Sequence, residues 1–352
     1  MTRLADIFKV VAIVVAMALG SCVKNSNLDG LGPQAINYHA VCGLTTEGRA
    51  AISGTDYPTG VPFAAFAVQH AEGETWAGNS ATASYVIKGD AVAYNSYVPG
   101  AWATEIPYYW PMTGGMSFFA YSPWADANGD KITNIAFTPT TGELKVTGWN
   151  TNDAKYKGVD LMFADPKYDQ TEALAASGVP TVFRHKLSLV SFKAGLIGEY
   201  IEGGVTYEMQ LRKVTLKNVK TQGNYSSIND SGRWTNVSGS ADIVLYNNPS
   251  GEALSHLTTL SLGDDQLVIP QGHETSASGV TIAIVYYDTK EGVERTVSIN
   301  LRNKIPTSNW VIGSQYTYYI MFNVGDPDYI EFDAPTISAA WADGGTYELV
   351  VE

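Results

Sequence analysis

Apolar and polar residues alternate with a period of two over many short stretches of this chain. Clear examples are Val182–Lys193, Val280–Tyr287 and Tyr316–Val324. This period places alternate side chains on one face and predicts half-buried β-strands. Helical periodicity is nearly absent, and only residues 170–176 are compatible with a short helical turn. The pattern predicts an all-β protein.

Further strands are predicted along the whole chain, separated by turn clusters such as Asp126–Asp130 and Asn247–Gly251. The predicted strands are Ile36–Leu44, Pro62–Val68, Tyr85–Ile87, Ala91–Val98, Ile106–Pro111, Met116–Pro123, Leu161–Ala164, Tyr207–Val219, Leu267–Pro270, Arg295–Leu301 and Tyr329–Ala334. Strands joined by turns, without intervening helices, favour antiparallel β-sandwiches.

The chain is too long for one ordinary sandwich, because it has 352 residues. We therefore expect two tandem antiparallel β-sandwich domains. The glycine-rich stretch at 195–204 suggests the boundary, which gives an N-terminal sandwich over residues 50–200 and a C-terminal one over 201–352.

The first 21 residues are predicted to be a lipoprotein signal peptide. An uncharged apolar run from Val10 to Leu19 is too short to span the roughly 30 Å of a bilayer. It ends in Leu19-Gly20-Ser21-Cys22, which resembles a bacterial lipobox and makes Cys22 the predicted lipidation site. An ordinary secretory signal with an incidental cysteine is the alternative. Acylation would anchor the chain without spanning the membrane.

Residues 22–49 are predicted to form a polar tether, a strand and a loop. The strand places one side chain in every two on a single face, namely those of Ile36, Tyr38, Ala40, Cys42 and Leu44. The loop that follows contains one arginine, Arg49, followed by Ala50, among small residues. Such a loop is readily cut by a protease.

Composition and motif content exclude several classes of function. The formal net charge is −13, so nucleic acid is excluded as a partner because its phosphates would be repelled. Two cysteines cannot form a disulfide framework. The five histidines, His39, His70, His185, His256 and His273, show no metal-ligand spacing, and no nucleophile elbow or phosphate loop is present. We expect no enzyme, no metal site and no cofactor.

Aromatic residues are concentrated between residues 108 and 124. The set comprises Tyr108, Tyr109, Trp110, Phe118, Phe119, Tyr121 and Trp124. Two strands that bury alternate rings explain this set best. The alternative is a surface glycan-binding lipoprotein in which exposed rings form a platform for sugars.

The order of several motifs resembles the fimbrillin (Mfa-like) family of lipoprotein pilins and pilus accessory subunits. After the lipobox, the early strand and the arginine loop, the resemblance rests on YYWP, SFFAYSP, VFRHKLSLVSF, LVIPQ and WVIGSQYTYYI, which start at residues 108, 117, 182, 267 and 310. It implies two transthyretin-like sandwiches and a structural subunit of a cell-surface fimbria that supports adhesion, exported as an outer-membrane lipoprotein.

The resemblance also implies a route of assembly and a set of partners. An arginine-specific protease would cut between Arg49 and Ala50 and release the plug strand that contains residues 36–44. Another pilus subunit would then fill the groove by β-strand addition. The donor would come from residues 329–352, with candidate side chains on two alternating runs: Ile330, Phe332, Ala334, Tyr347, Leu349 and Val351. The surface ligand, and the position in a fibre, stay open.

Overall fold

The computed structural model describes residues 34–42, 55–78, 84–228, 233–273, 275, 278–303, 309–324, 330–333 and 342–343. Strands dominate these residues, and their helical content is limited to two 3-10 turns at Trp76–Gly78 and Leu301–Asn303. The all-β prediction is confirmed. Among the described residues, none forms a helix long and apolar enough to traverse a bilayer.

The strands of the first half of the chain are numbered β1 to β11. Their bounds are β1 Tyr38–Cys42, β2 Thr55–Asp56, β3 Phe63–His70, β4 Ser84–Tyr94, β5 Trp102–Thr104, β6 Gly115–Ser122, β7 Ile135–Thr138, β8 Glu143–Asn150, β9 Met162–Ala164, β10 Lys167–Gln170 and β11 Val179–His185.

The strands of the second half are numbered β12 to β25. Their bounds are β12 Ser188–Leu196, β13 Tyr200–Glu202, β14 Val205–Tyr207, β15 Met209–Val219, β16 Gln222–Ser226, β17 Trp234–Ser238, β18 Ala241–Ala253, β19 Leu260–Ser261, β20 Gln266–Val268, β21 Thr281–Asp288, β22 Val293–Asn300, β23 Ser314–Phe322, β24 Ile330–Asp333 and β25 Ala342–Asp343.

Seven strands of the first sheet pair around a closed ring. The order is β1, β11, β9, β6, β3, β4, β5 and back to β1. Strand β2 adds to β1, and β10 adds to β6. A core of apolar side chains from these strands includes Phe63, Trp102, Phe118 and Phe183. The ring depends on β1 for its closure.

A four-stranded sheet, ordered β17-β16-β8-β7, shares a second core with the other face of the ring. Phe66 and Tyr121 belong to the ring strands β3 and β6, whereas Trp149 and Trp234 come from β8 and β17. The alternation of side chains along β3 and β6 explains this arrangement, because successive residues face opposite sides of a strand.

Two sheets of the second half share the third core. One is ordered β19-β12-β23-β24, with β20 on β12 and β25 on β23, and the other is ordered β18-β15-β21-β22. Phe192 and Tyr318 stack with ring centroids 5.1 Å apart in this core. A separate hairpin joins β13 and β14.

Among the strands that the structure describes, three pairs are parallel, in contrast to the purely antiparallel sheets expected from the sequence. They are β1 with β11, β12 with β23, and β23 with β25. Each pair joins segments far apart in the chain, so no tight turn dictates an antiparallel partner. The division into two transthyretin-like sandwiches at residues 200 and 201 stays a prediction. Strand β16, which follows residue 201, pairs with β8, which precedes 200.

Two local predictions were wrong. Residues 247–251 were expected to form a turn but lie within β18, a 13-residue strand at a sheet edge with register shifts. An edge strand tolerates Pro249, because one side of its backbone needs no partner. Residues 106–111 were expected to form a strand, yet only Tyr109 pairs there, through an isolated bridge to Ala35. Pro107 and Pro111 lack the N–H groups that a strand ladder requires.

Candidate functional site: the N-terminal strand and its groove

The first described segment, residues 34–42, is held on both sides by main-chain pairing. Strand β1 pairs in parallel with β11 along its entire length, from Tyr38 opposite Val179 to Cys42 opposite Phe183. On its other side Tyr38 pairs with Trp102 of β5. The segment before β1 continues this pairing, because Ile36 N donates to Tyr108 O at 2.7 Å and Trp110 N donates to Gln34 O at 3.1 Å.

The predicted inward face of this segment is buried in the ring core. Ile36 is 2% exposed, Tyr38 4% and Ala40 8%, while His39 is exposed. Cys42 is half-buried and packs against the same core. The Tyr38 ring meets Phe63 and Phe118 edge-on, at centroid distances of 5.6 and 6.0 Å. We refer to the space under residues 36–40, bounded by β5, β11 and these two rings, as the groove.

Tyr38 carries an unusual group for such a position. Its hydroxyl is buried and has no hydrogen-bond partner among the described residues. Burial raises the pKa of Tyr38 far above its usual value, and the nearby Asp90 carboxylate adds to this effect. The hydroxyl is therefore a neutral polar group in an apolar site, and it destabilises the docked strand.

Gly178 allows β1 to approach the start of β11. Its φ is +94°, and an added Cβ atom would lie 2.6 Å from Asn37 Oδ1 and 2.9 Å from the Tyr38 carbonyl carbon. Only glycine combines this backbone conformation with so close a neighbour. Gly178, which lies outside β1, therefore shapes one side of the groove.

Cys42 has the properties of a packing residue. Burial raises the pKa of its thiol to about 11, with a smaller contribution from the Asp160 carboxylate. A protonated thiol is a poor nucleophile. This agrees with the expectation that Cys42 packs on the strand face.

The histidines occupy separate environments. His70 Nε2 lies 2.9 Å from Ser117 Oγ, and His185 Nδ1 lies 2.8 Å from Asp160 Oδ2. His256 Nδ1 lies 3.8 Å from Glu199 Oε1. Within the described ranges, no group of three or more His, Cys, Asp or Glu side chains is placed to hold a metal ion.

Most rings of the aromatic cluster are core residues. Trp110, Phe118, Phe119 and Tyr121 are at most 5% exposed, whereas Tyr108 and Trp124 are half-buried. Only Tyr109 of the set is strongly exposed, at 47%. Phe118 and Phe119 face the ring core and the second core respectively. The burial of Trp110 removes a ring on which the glycan-platform alternative depended.

Several predicted site residues lie outside the described residues. They are Cys22, Leu44, Arg49, Ala50, Ala334, Tyr347, Leu349 and Val351. Ile330 and Phe332 belong to β24, which pairs antiparallel with β23 at the edge of its sheet.

The sequence did not reveal the residues that form the walls of the groove. Trp102 lies in a three-residue strand, and Gly178 follows a turn. Neither local pattern indicates that β1 will dock there. The alternation of residues 36–42 gave the inward face, but the partners come from distant parts of the chain.

A profile of the fimbrillin-like family matches residues 55–339. The chain belongs to the fimbrillin-like family. The proteins of this family are structural and adhesive, which confirms the prediction that the chain is not an enzyme. The resemblance read from the motifs is likewise confirmed.

Solved structures of Bacteroides proteins are similar to this chain. A fimbrial protein of Bacteroides vulgatus has 15% identity and a TM-score of 0.55, covering 81% of this chain and 96% of that one. A candidate cell adhesion protein of Bacteroides uniformis has 16% identity and a TM-score of 0.48, covering 85% and 96% respectively. At such identities the likeness to the first protein concerns the fold alone. No curated protein matches the chain.

Proposed function

We propose that this fimbrillin-like protein is a structural subunit of a cell-surface fimbria that supports adhesion. In this proposal the chain is exported as an outer-membrane lipoprotein through acylated Cys22. An arginine-specific protease then cuts after Arg49, the N-terminal strand leaves, and a strand of another pilus subunit takes its place.

The observation that carries the proposal is the position of β1 within the ring. It is paired on both sides and inserts Ile36, Tyr38 and Ala40 into the core. Removing it would expose unpaired main-chain groups of β5 and β11 together with an apolar groove. Such an edge binds another strand, because pairing satisfies the main chain and the groove buries its side chains.

The energetics suit a durable contact between subunits. Ile36 and Tyr38 are large side chains, and burial of each is worth about 1.5–3 kcal/mol. A replacement strand with similar side chains would recover this contribution. Main-chain pairing along β11 adds register and slows dissociation.

Substitution at residue 49 tests the proposal. We expect Arg49→Ala to abolish assembly while leaving a folded precursor, measured by size-exclusion chromatography after treatment with an arginine-specific protease. Arg49→Lys is the matched control for charge: it keeps the positive side chain but removes the arginine that the protease requires, so it is expected to fail as well. Normal polymerisation of either variant contradicts the proposed mechanism.

A further inference from the structure

The side chains that β1 inserts into the ring recur, in the same order, at one of the two predicted donor runs. Ile36, Tyr38 and Ala40 point into the core at alternate positions. Residues 330–334 read Ile-Glu-Phe-Asp-Ala. Both segments therefore carry Ile, an aromatic ring and Ala with a spacing of two, read in the direction of the chain.

We propose that the groove takes residues 330–334 of a second copy of this chain, running in the direction of β1. The positions correspond as follows: Ile330 replaces Ile36, Phe332 replaces Tyr38 and Ala334 replaces Ala40. The proposal rests on the strand exchange proposed above, and adds to it the partner, the direction and the register.

The order of side-chain sizes selects the direction. In the reverse direction the aromatic ring would still be central, but isoleucine would enter the site of Ala40 and alanine the site of Ile36. The first change overfills a close-packed core, and the second leaves a cavity where a 2% exposed side chain now lies. The same direction as β1 avoids both.

The other predicted donor run fits less well. Tyr347, Leu349 and Val351 place leucine at the centre, where Phe63 and Phe118 now meet an aromatic edge. Either end residue is also larger than alanine. In either orientation, a strand with that order loses the ring contacts and places a side chain that is too large at the site of Ala40.

The central site favours the incoming ring over the resident one. The Tyr38 hydroxyl is buried without a partner among the described residues. Phenylalanine has the same ring and lacks the hydroxyl, so Phe332 would keep the contacts with Phe63 and Phe118 without burying an unpaired polar group. The resident strand is therefore the weaker ligand of its own groove, and exchange is downhill at this position.

Strand β24 is placed to leave its own sheet. Its four residues are the last in the order β19-β12-β23-β24, and they pair with Tyr319–Phe322 of β23. An edge strand can detach without opening the interior of a sheet.

Crosslinking between two differently tagged chains tests the register. One chain carries Thr181→Cys, because Thr181 pairs with Ala40 on β11, together with Cys42→Ser. The other carries Ala334→Cys. After proteolysis and assembly, a short thiol-specific crosslinker is expected to join the two tags. Asp333→Cys is the matched control and is expected not to react, since a shift of one residue moves a side chain to the opposite face.

The outcomes distinguish failure of the proposed register from failure of strand exchange itself. Crosslinking of Thr181→Cys to Val351→Cys instead of Ala334→Cys in assembled material overturns the register and leaves strand exchange standing. Assembled material without either crosslink also overturns it. If the parent chain does not assemble after proteolysis, the proposed function fails, and this proposal fails with it.

The rate of exchange tests the role of the hydroxyl. Tyr38→Phe gives the resident strand the same ring as the donor, so we expect exchange to slow by about tenfold. Tyr57→Phe is the control, because its hydroxyl is paired with Ser122 Oγ at 2.5 Å and belongs to no part of the exchanged strand. An unchanged or faster rate in Tyr38→Phe contradicts the inference that the resident strand is the weaker ligand.

Discussion

Buried polar side chains in this protein are of two kinds, those with a partner and those without. Tyr57 and His70 each bond a serine hydroxyl, Ser122 and Ser117 respectively. The Tyr38 hydroxyl and the His273 ring nitrogens have no hydrogen-bond partner among the described residues. A buried polar group without a hydrogen bond lowers the stability of the fold by about 1–3 kcal/mol. Stability is therefore most sensitive to substitution and to pH at these residues.

His273 gives the fold a dependence on acid. It is 5% exposed, and its ring meets Trp310 edge-on at 4.7 Å. Burial lowers the pKa of His273 to about 4, and Arg302 adds to the shift. In the unfolded chain the pKa is about 6.5, so the unfolded state binds more protons between these values and stability falls as pH drops from about 6.5 to 4.

We expect His273→Phe to remove this part of the pH dependence. The variant keeps a ring against Trp310 but cannot be protonated. Denaturant unfolding at pH 7 and pH 4 measures the change, and the loss in the parent chain is expected to exceed that in the variant by up to about 3 kcal/mol. His39→Gln, at an exposed site, is the control and should behave like the parent. Equal losses in parent and His273→Phe contradict the prediction.

At the scale of single elements, docking of β1 depends on a residue of the neighbouring segment. We expect Gly178→Ala to weaken the pairing of β1 with β11, because its Cβ would lie 2.9 Å from the Tyr38 carbonyl carbon, a main-chain atom of β1 that moves only with the strand. Hydrogen exchange at residues 38–42 measures the effect and is expected to accelerate by tenfold or more, the equivalent of about 1.4 kcal/mol.

Gly158→Ala is the matched control for backbone strain. Gly158 has a φ of +73°, which is positive like that of Gly178, but nothing lies within 4 Å of the added Cβ atom. The control therefore carries the strain without the contact. Equal acceleration at residues 38–42 in both variants would show that the contact is unimportant.

Sequence alone predicted elements where apolar residues either alternated with polar ones or formed a short uninterrupted run. Strands β3, β6, β21 and β23 lie close to their predicted positions. Strand β18 was missed because Asn247-Asn248-Pro249 has the composition of a turn, and an edge position with bulges overrides that preference. For the groove, alternation gave the inward face of residues 36–42. It did not give the parallel partner β11, because pairing between distant segments leaves no local signal.

At the scale of the whole molecule, one junction joins the ring to the sheet β17-β16-β8-β7. Trp234 of β17 donates from Nε1 to Lys186 O at 2.6 Å. Lys186 follows β11, and its ammonium lies 5.9 Å from the Phe163 ring centroid and 5.7 Å from that of Tyr225. Aromatic rings near a cation stabilise it, so the junction combines a hydrogen bond with cation–π contacts.

We expect Trp234→Phe to loosen this junction. The variant leaves Lys186 O without its donor, and hydrogen exchange of peptides that cover residues 182–190 and 222–238 should accelerate. Trp149→Phe is the control, because it removes the same atoms from the same core, where the Trp149 Nε1 has no partner among the described residues. The prediction is wrong if the two variants accelerate exchange equally at residues 182–190.

The groove and β24 lie on different sheets of one chain, and this separation sets the symmetry of any assembly that joins them. A contact between two different surfaces has no two-fold symmetry. When the donor strand of one copy enters the groove of another, the first copy therefore keeps an open groove and the second keeps a free donor strand. Where the rotation between copies does not close into a ring, the product is an open filament with two chemically distinct ends. Growth at the end with the open groove then consumes free donor strands, and a copy that retains its N-terminal segment can sit only at that same end, where it stops growth.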